Sequence, residues 1–351
     1  MSEIRADIIG SGGISNEHMR GYNAIPEVKV VACCDINEDR VRAYAEKYSI
    51  PHWYTDCREM LAKEQLDVAS VTTWNAAHKD CTIAALRAGV NVICEKPMAM
   101  NAGEALEMMN AAKESGKLLQ IGFVRRFGND AEVFREFRDA GVFGDIYYGK
   151  ATYIRRSGCP GGWFGDKAFS GGGPLIDLGV HVIDLSRYLA GNPKPVSVYG
   201  VTYSNLGKNR AKGSSTAWEL QSEDKAVFNV EDFVSAMIRF ENGFTLSVEA
   251  SFNLNCKNDS GDIQLFGTRG GATLSPQLEI YTDIAGRFVN IEPAVPVYLD
   301  CEAAFKDEIR GFVDAAMHGA DCRATAEDGV MLMKIIDGIY KSAETGHEVV
   351  L

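Results

Sequence analysis

Short apolar runs alternate with longer amphipathic stretches through the first third of the chain. The apolar runs have the length of buried strands, and the amphipathic stretches repeat their apolar positions with helical periodicity. The predicted helices end near Pro51, Gly89 and Gly116, which are residues that commonly stop a helix. This alternation predicts βαβ units and an α/β fold with a parallel, doubly wound sheet. The predicted strands are 6–9, 28–34, 68–72, 91–94 and 118–122, and the predicted helices are 39–48, 77–88 and 102–115.

The pattern changes after about residue 123, where strands dominate. A further helix is predicted over 130–140, and Glu241-Asn242-Gly243 is a hairpin turn signal. These features predict a mostly antiparallel sheet with one face that must be covered. The tail over 303–343 returns to a helical pattern, and the polar segment 206–223 predicts a mobile surface loop. The strands predicted here are 146–155, 195–203, 233–240, 245–252, 262–266 and 278–282.

The length of 351 residues suits two domains, and the change of pattern predicts a boundary near residue 122. We therefore expect one domain over 1–122 and a second over 123–351, with the C-terminal helices packing back on the first. The composition, 46% hydrophobic and 24% charged, is that of a globular protein. The net charge of -12 argues against a nucleic-acid partner, but it permits phosphate binding by backbone amides.

Nine cysteines are scattered along the chain without a CxxC spacing, and Cys33 and Cys34 are adjacent. This pattern fits neither a disulfide framework nor a zinc site, so it predicts reduced thiols, a cytoplasmic protein and no metal. Residues 1–10 lack the cationic and apolar regions of a signal peptide. No apolar run reaches the ~18 residues of a membrane span, so we expect no membrane partner.

A glycine-rich turn, Gly10-Ser11-Gly12-Gly13-Ile14-Ser15, follows the first predicted strand and precedes a helix. It matches the dinucleotide fingerprint Gly-x-Gly-x-x-Gly, except that Ser15 stands at the third glycine. Asp35 ends the second strand, where a carboxylate accepts bonds from a ribose 2′-hydroxyl and repels a 2′-phosphate. NAD is therefore favoured over NADP, although the nearby Arg40 and Asn37 act against this preference. The alternative is an ordinary glycine turn, and the spacing of Asp35 favours the cofactor.

Lys96 in the run Cys94-Glu95-Lys96-Pro97 follows a predicted buried strand. Ligands bind at the carboxyl ends of parallel strands, and a lysine there stabilises the alkoxide that develops as hydride leaves an alcohol. Glu95 would orient or pair with the lysine. The alternative is an ordinary surface Lys-Glu pair, which is the commoner meaning of such a run in isolation.

Asp177 and His181 are four residues apart, which places both on one face of a predicted helix. His181 has an unperturbed pKa near neutrality and is the natural proton acceptor, with Asp177 orienting it or binding the substrate. Gly179 between them leaves room for a flat nicotinamide. The alternative is a core histidine that an aspartate one turn away satisfies.

Two further segments supply candidate contacts. Thr73 and Asn75 follow a predicted strand, where Asn75 is placed to bond the cofactor's ribose or carboxamide, whereas His78 has a weaker case as a simple first-turn residue. The loop 157–173 holds seven glycines together with Trp163, Phe164 and Phe169. It predicts either a lid that stacks on a sugar or an ordinary connection whose aromatic rings enter the core.

Motifs along nearly the whole chain fit one pattern. They are the opening glycine turn, Thr73-x-Asn75-x-x-His78, Glu95-Lys96-Pro97, Gly172-Gly173-x-x-x-Asp177-x-Gly179-x-His181, Ala326-Glu327-Asp328-Gly329 and Ser342-Ala343-Glu344-Thr345-Gly346. This set resembles the Gfo/Idh/MocA family of oxidoreductases, which includes glucose-fructose oxidoreductase and inositol dehydrogenase. The pairing of the Glu-Lys-Pro run with the Asp-x-x-x-His segment is a highly specific part of the likeness.

The resemblance implies an N-terminal Rossmann domain for NAD and a C-terminal α+β domain with an open, mostly antiparallel sheet for substrate binding and oligomerisation. It implies that Lys96, Asp177 and His181 form the catalytic set, with His181 as the base. It also implies homodimers or homotetramers built by packing the open sheets. Two residues depart from the family pattern: Trp74 stands where many members carry proline, and Ser15 replaces the third fingerprint glycine.

The predicted activity is NAD-dependent oxidation of a secondary hydroxyl to a ketone. The loop Arg155-Arg156…Pro160-Gly161-Gly162-Trp163-Phe164 looks like members acting on sugars, glycosides or cyclitols. One alternative keeps NAD tightly bound and recycles it during elimination, hydrolysis or epimerisation. Another is a non-catalytic NAD(H) sensor. The predicted cofactor contacts are Gly10, Gly12, Gly13, Ile14, Asp35, Thr73, Asn75, His78, Glu95 and Lys96, and the predicted substrate contacts are Lys96, Arg156, Trp163, Asp177 and His181.

Overall fold

The computed structural model describes residues 3–207 and 227–351, which form two compact units. Unit 1 contains residues up to 124 together with 301–333, and unit 2 contains 125–300 together with 334–351. Of the surface loop predicted over 206–223, residues 208–223 lie outside the described ranges. None of the helices in the described ranges combines the length and apolar character that a membrane crossing requires.

Unit 1 is built on a six-stranded parallel sheet. Its strands are β1 (Ile4–Ile9), β2 (Val28–Cys34), β3 (His52–Tyr54), β4 (Val68–Val71), β5 (Asn91–Glu95) and β6 (Leu119–Gly122). They lie in the order β3-β2-β1-β4-β5-β6, which is the order of the doubly wound dinucleotide-binding fold. The predicted fold class of the first part of the chain is confirmed.

Five helices connect these strands: α1 (Ser15–Asn23), α2 (Glu38–Tyr48), α3 (Cys57–Lys63), α4 (Asn75–Arg87) and α5 (Ala102–Ser115). Three of them begin with a side-chain cap, because Asn37, Asp56 and Asn101 each accept a backbone N–H of the first turn. β3 and α3 were not predicted. β3 has only three residues at an edge of the sheet, so no apolar alternation marks it.

Unit 2 is built on a nine-stranded sheet. Its strands are β7 (Ile146–Ile154), β8 (Pro195–Tyr203), β9 (Phe233–Phe240), β10 (Thr245–Ser251), β11 (Ser260–Gly267), β12 (Gly270–Thr273), β13 (Glu279–Ile284), β14 (Arg287–Ile291) and β15 (Val349–Val350). The order is β14-β13-β12-β11-β7-β10-β9-β8-β15. Among these strands only β7 and β10 pair in parallel, so the predicted mostly antiparallel sheet is confirmed.

The strands of this sheet alternate between a buried and an open face. Along β9, Val234, Ala236 and Ile238 are buried, whereas Met237 between them is 48% exposed. Met237 lies opposite Tyr199 of β8, which is also 48% exposed. One face therefore packs against the interior of unit 2, and the other presents apolar side chains.

Between residues 124 and 300 the helices are α6 (Asn129–Asp139), α7 (Lys167–Ser170) and α8 (Val180–Leu189), with short 3₁₀ turns at Val124–Phe127 and Gly162–Gly165 and a π-helical turn at Leu175–Gly179. The buried Arg126 donates from Nε to Asp184 of α8 at 2.9 Å and from Nη2 to the same carboxylate at 2.6 Å. This bidentate pair anchors α8 inside unit 2.

The C-terminal tail was predicted to return to helix over 303–343. It forms two helices, α9 (Cys301–His318) and α10 (Ala326–Thr345). Gly319 has a φ of +75°, a left-handed conformation that ends α9, and the Thr325 hydroxyl accepts the Asp328 N–H at the start of α10. α9 packs on α1 in unit 1, where a Cβ on Gly21 would lie 2.6 Å from Ile309.

Candidate active site

The glycine turn after β1 has the geometry of a dinucleotide fingerprint. Gly10 has a φ of +98°, and a Cβ there would lie 2.7 Å from the backbone of Thr72, so only glycine fits. A Cβ on Gly12 or Gly13 would meet nothing within 4 Å, so the turn presents open backbone. Ser15 is fully buried at the third fingerprint position, and its hydroxyl donates to the Gly12 carbonyl at 2.6 Å. The serine therefore permits the close packing that a glycine would provide.

Asp35 follows β2 and is buried beside this turn. Its Oδ2 accepts the backbone N–H and the hydroxyl of Ser11, both at 3.0 Å, and its Oδ1 accepts the Asn37 N–H at 2.9 Å. The Arg40 guanidinium lies 3.5 Å from Oδ2, but it is 52% exposed, so the ion pair is weak. A carboxylate has about four acceptor positions, so Asp35 retains capacity for a ribose hydroxyl. The turn, the half-buried Ile14 and this carboxylate fit NAD.

His78 contacts the main chain with both ring nitrogens. Its Nδ1 lies 2.8 Å from the Pro97 carbonyl, and its Nε2 lies 3.1 Å from the Thr73 carbonyl. Burial lowers the pKa of His78, and a neutral ring donates to only one of these oxygens at a time. The ring joins the segments that follow β4 and β5, so we expect any role of His78 toward the cofactor to be indirect. Asn75, three residues earlier, is buried at the start of α4.

Lys96 follows β5, and its side chain is half-buried. Its backbone N–H donates to Oε2 of Glu95 at 3.1 Å, and its peptide bond to Pro97 is cis. Glu95 is itself buried, and its other oxygen, Oε1, lies 2.9 Å from Nε2 of His18. Glu95 therefore links the backbone of the lysine to the interior of unit 1.

The His18 contact belongs to a buried chain of polar groups that the sequence did not predict. Nδ1 of His18 lies 2.9 Å from the Ser70 hydroxyl, which in turn lies 2.8 Å from the Tyr22 hydroxyl.

A second buried carboxyl, that of Glu308 on α9, has no hydrogen-bond partner among the described residues. Burial, and to a smaller extent the neighbouring charge of Glu95, raises the pKa of Glu308 well above its usual value.

Asp177 and His181 were predicted on one α-helix, and the structure corrects this. Asp177 lies in the π-helical turn, and His181 lies in the first turn of α8. Such π turns often occur at functional sites, because they change which side chains face one another. Gly179 does not leave an opening for a nicotinamide. It is buried, and a Cβ there would lie 3.1 Å from Leu175 and 3.9 Å from Ala250.

The side chain of Tyr153, at the end of β7, lies near His181, and the sequence did not single it out. The ring of Tyr153 is 6.4 Å from the His181 ring between centroids. The Arg155 guanidinium lies 5.3 Å from the centre of the Tyr153 ring. Tyr153 is half-buried, so it presents part of its surface beside the histidine. The sequence of β7 does not reveal this proximity, because the distance between Tyr153 and His181 depends on how α8 packs against the sheet.

The aromatic loop of unit 2, residues 157–173, neither buries all of its aromatic rings in the core nor exposes all of them as a lid would. Trp163 and Phe164 stack on each other with centroids 3.9 Å apart, and both are half-buried, whereas Phe169 is 43% exposed. Arg156 is exposed, and its guanidinium donates to the Lys257 carbonyl at 3.3 Å. The paired rings form a partly accessible apolar surface.

The strand order of unit 1, the glycine turn and Asp35 together define a dinucleotide-binding Rossmann fold that suits NAD. Residues 4–123 match the family described as the oxidoreductase family with an NAD-binding Rossmann fold, and residues 132–273 match the GFO/IDH/MocA C-terminal domain. The chain belongs to the Gfo/Idh/MocA family of oxidoreductases. It is 35% identical to D-glucoside 3-dehydrogenase of Escherichia coli (strain K12), over 100% of this chain and 98% of that protein.

Other relatives cover the same length. Inositol 2-dehydrogenase of Salmonella typhimurium (strain LT2) is 26% identical, over 98% of this chain and 95% of that protein. The solved structure of levoglucosan dehydrogenase in complex with NADH has a TM-score of 0.86 at 24% identity, covers 99% of each chain and shows the same fold. The predicted family, the oxidoreductase class and NAD as the cofactor are confirmed.

Proposed function

We propose that this protein oxidises a secondary hydroxyl of a sugar, glycoside or cyclitol to a ketone with NAD, and that the hydroxyl at C3 of a D-glucoside is its preferred target. The observation that supports this most directly is the end-to-end similarity to a glucoside 3-dehydrogenase at 35% identity. The glycine turn and Asp35 support the cofactor, and the half-buried Lys96 and His181 support the proton chemistry.

The proposed cofactor contacts are groups at the carboxyl ends of the parallel strands. The open backbone of Gly12 and Gly13 would receive the pyrophosphate, and Asp35 would accept a ribose hydroxyl. When bound, NAD accepts the hydride that leaves the carbinol carbon. The remaining proposed contacts are Gly10, Ile14, Thr73, Asn75, Glu95 and Lys96, with His78 acting through the backbone it contacts.

We propose Lys96, Asp177 and His181 as the catalytic residues. The imidazole of His181 takes the hydroxyl proton, because the unperturbed pKa of a histidine lies near neutrality. The Lys96 ammonium stabilises the negative charge that develops on the substrate oxygen. Asp177, which is 8% exposed, accepts a hydrogen bond that fixes the substrate or the imidazole. One C–H and one O–H bond break, and a C=O bond, a reduced nicotinamide and a protonated imidazole result.

Arg156 and Trp163 remain the proposed substrate contacts of the aromatic loop, and Tyr153 joins them because its ring lies near His181. A flat aromatic surface such as the Trp163–Phe164 stack suits the apolar face of a sugar ring. The exposed guanidinium of Arg156 supplies hydrogen-bond donors for hydroxyl groups.

The test is an absorbance assay for reduced nicotinamide with methyl β-D-glucoside, methyl α-D-glucoside, D-glucose and myo-inositol, each with NAD and with NADP. Growth of the band with a glucoside and NAD supports the proposal, and analysis of the product locates the ketone. No growth with any of them, together with nicotinamide recovered from the denatured protein, would favour the recycled cofactor instead. Lys96→Met should lower kcat by about 10²- to 10³-fold, whereas the surface control Lys113→Met should not change it.

We further propose a cytoplasmic homodimer or homotetramer formed through the open face of the nine-stranded sheet. Tyr199, Met237 and Tyr203 on that face are each 48% exposed, and Tyr199 lies opposite Met237 in the strand register. A second copy of this sheet would bury these apolar groups. Light scattering on a sizing column should give a dimer or tetramer for the wild type and a smaller species for Met237→Lys.

A further inference from the structure

Glu231 holds the start of the segment that contains Asp177 and His181. It lies two residues before β9 and is 7% exposed. Its Oε2 accepts the Gly173 N–H at 2.9 Å, and its Oε1 accepts the Leu175 N–H at 3.2 Å. The Tyr340 hydroxyl of α10 donates to Oε1 at 2.9 Å. All four groups belong to unit 2, so one buried carboxylate gathers three donors from distant parts of the chain.

The position explains the chemistry of this contact. The first N–H groups of a helix have no partner within the helix, and a carboxylate satisfies them with charge-assisted bonds. Gly173 and Leu175 flank Pro174, which has no N–H to offer. Glu231 therefore binds the available donors at the beginning of the π-helical turn.

Two glycines that precede the π-helical turn, Gly172 and Gly173, are explained by the same packing. A Cβ on Gly172 would overlap the Tyr340 hydroxyl, and a Cβ on Gly173 would overlap the Glu231 carbonyl oxygen. These two glycines of the loop 157–173, which was predicted as either a lid or an ordinary connection, are therefore required for close packing. The segment is fixed by its surroundings at this point.

Gly173 connects Glu231 to Asp177 through backbone hydrogen bonds. The carbonyl of Gly173, whose N–H is bound by Glu231, accepts the backbone N–H of Asp177 at 3.1 Å. We infer that Glu231, assisted by Tyr340, is a positioning residue that fixes the backbone on which Asp177 and His181 are presented. The inference rests on the proposed function for the catalytic meaning of those two residues.

The variant that tests this is Glu231→Gln, which keeps the shape but replaces one acceptor oxygen by an NH₂ group that faces donors. With methyl β-D-glucoside as the probe, we expect kcat to fall about 10- to 100-fold, because small displacements of catalytic groups have effects of this size. NAD affinity, which depends on unit 1, should stay within about twofold. Tyr340→Phe removes one of three donors and should lower kcat only a few-fold.

A purely structural role is distinguished by the kinetics. Loss of folded protein lowers the concentration of active enzyme, but it leaves KM and the kinetic isotope effect of the remaining enzyme unchanged. With a substrate deuterated at the oxidised carbon, we expect the isotope effect on kcat to rise in Glu231→Gln, because hydride transfer becomes slower relative to product release. An unchanged kcat per folded molecule would overturn the inference.

The matched control is Asp232→Asn. Asp232 is the next residue and is 1% exposed. Its carboxylate accepts the N–H groups of Leu206 and Gly207 rather than those of the segment that contains Asp177 and His181. It should leave the isotope effect at the wild-type value.

Hydrogen–deuterium exchange separates this inference from the proposed function, because it needs no substrate. Amides of residues 175–181 should exchange faster in Glu231→Gln than in wild type or Asp232→Asn. Equal protection in all three proteins would refute the positioning role, even if the wild type oxidised none of the sugars.

Discussion

Nε2 of His18 lies 2.9 Å from Oε1 of Glu95, and both side chains are buried in unit 1. A carboxylate oxygen accepts hydrogen bonds, so Nε2 of His18 donates to Glu95. Nδ1 of the same ring lies 2.9 Å from the Ser70 hydroxyl, which lies 2.8 Å from the Tyr22 hydroxyl. The network thus connects Tyr22 and Ser70 through His18 to the Glu95 carboxylate, whose other oxygen accepts the Lys96 N–H.

We predict that His18→Asn lowers kcat about tenfold, with NAD affinity nearly unchanged, because a buried hydrogen bond to a charged group contributes about 1.5–3 kcal/mol. The asparagine side chain is too short to reach Glu95, so Glu95 and the Lys96 backbone lose a support. His18→Gln reaches further and should restore most of the activity. Steady-state kinetics with a glucoside and calorimetric NAD titration give the comparison.

The control for this pair is His318→Gln on α9, where the side chain is 43% exposed and lies 4.0 Å from Glu27. It should behave as wild type. If His18→Asn and His18→Gln were equally active, the ring would serve only to fill space.

The fold was predictable wherever burial and periodicity agree. β2, α5, β8 and β9 have the predicted bounds, because each has a clear apolar pattern. For α5 the Asn101 cap and Gly116 also mark the two ends. The short edge strand β3 and the two-residue β15 were missed, since pairing with a neighbour defines them. The π-helical turn was missed because the sequence around Asp177 reads as ordinary helix.

The candidate site was predictable where the chemistry lies in a short motif. Gly10, Asp35 and Lys96 were found from local spacing, and the structure places each at the carboxyl end of a strand in unit 1. His18 and Glu231 were not found, because their partners are distant in the chain: His18 is 77 residues from Glu95, and Glu231 is 58 residues from Gly173. Only tertiary packing creates these contacts.

We predict that Asp35→Asn weakens NAD binding about 10- to 100-fold, while NADP binding weakens less or improves. The variant removes the charge that a ribose hydroxyl would bind, and hydrogen bonds to charged groups are worth about 1.5–3 kcal/mol. The same charge repels a 2′-phosphate, so its loss favours NADP. Arg40, which lies 3.5 Å from Asp35, would then face the phosphate.

Glu38→Gln is the control for this prediction, since Glu38 on the same turn is 57% exposed and pairs with Arg42 at the surface. The measurement is the dissociation constant of NAD and of NADP, obtained from intrinsic fluorescence quenching, for the wild type and both variants. An equal loss of NAD and NADP affinity would remove the argument for the NAD preference.

Asp7 of β1 is fully buried, and neither carboxylate oxygen has a hydrogen-bond partner among the described residues. Burial, with a smaller contribution from Cys57, raises the pKa of Asp7 well above its usual value. The folded protein therefore binds this proton more tightly than the unfolded chain. The contribution of Asp7 to the free energy of unfolding is fully present below the unfolded-state pKa of about 4. It is lost as the pH rises through the raised pKa of the folded state.

We predict that wild type loses at least about 1 kcal/mol more stability than Asp7→Asn between pH 5 and pH 8, since one pKa unit is worth about 1.4 kcal/mol. Urea unfolding at the two pH values measures the difference. Asp80→Asn, at an exposed position of α4, should follow the wild type. Parallel pH dependences of wild type and Asp7→Asn would mean that Asp7 titrates alike in the folded and unfolded chains.

The Arg126–Asp184 pair predicts a stability effect in unit 2. Arg126 has a side-chain exposure of 0% and Asp184 of 3%, and two hydrogen bonds join them. Asp184→Asn leaves a buried guanidinium without its compensating charge, so we expect a loss of about 3–5 kcal/mol. The double variant Arg126→Met with Asp184→Leu should be considerably more stable than Asp184→Asn, because no buried charge remains.

Asp139→Asn disrupts the exposed Arg138–Asp139 pair and should cost less than about 1 kcal/mol in the same urea titration. A similar small loss for Asp184→Asn would show that water or another group compensates Arg126, and that the pair does not anchor α8.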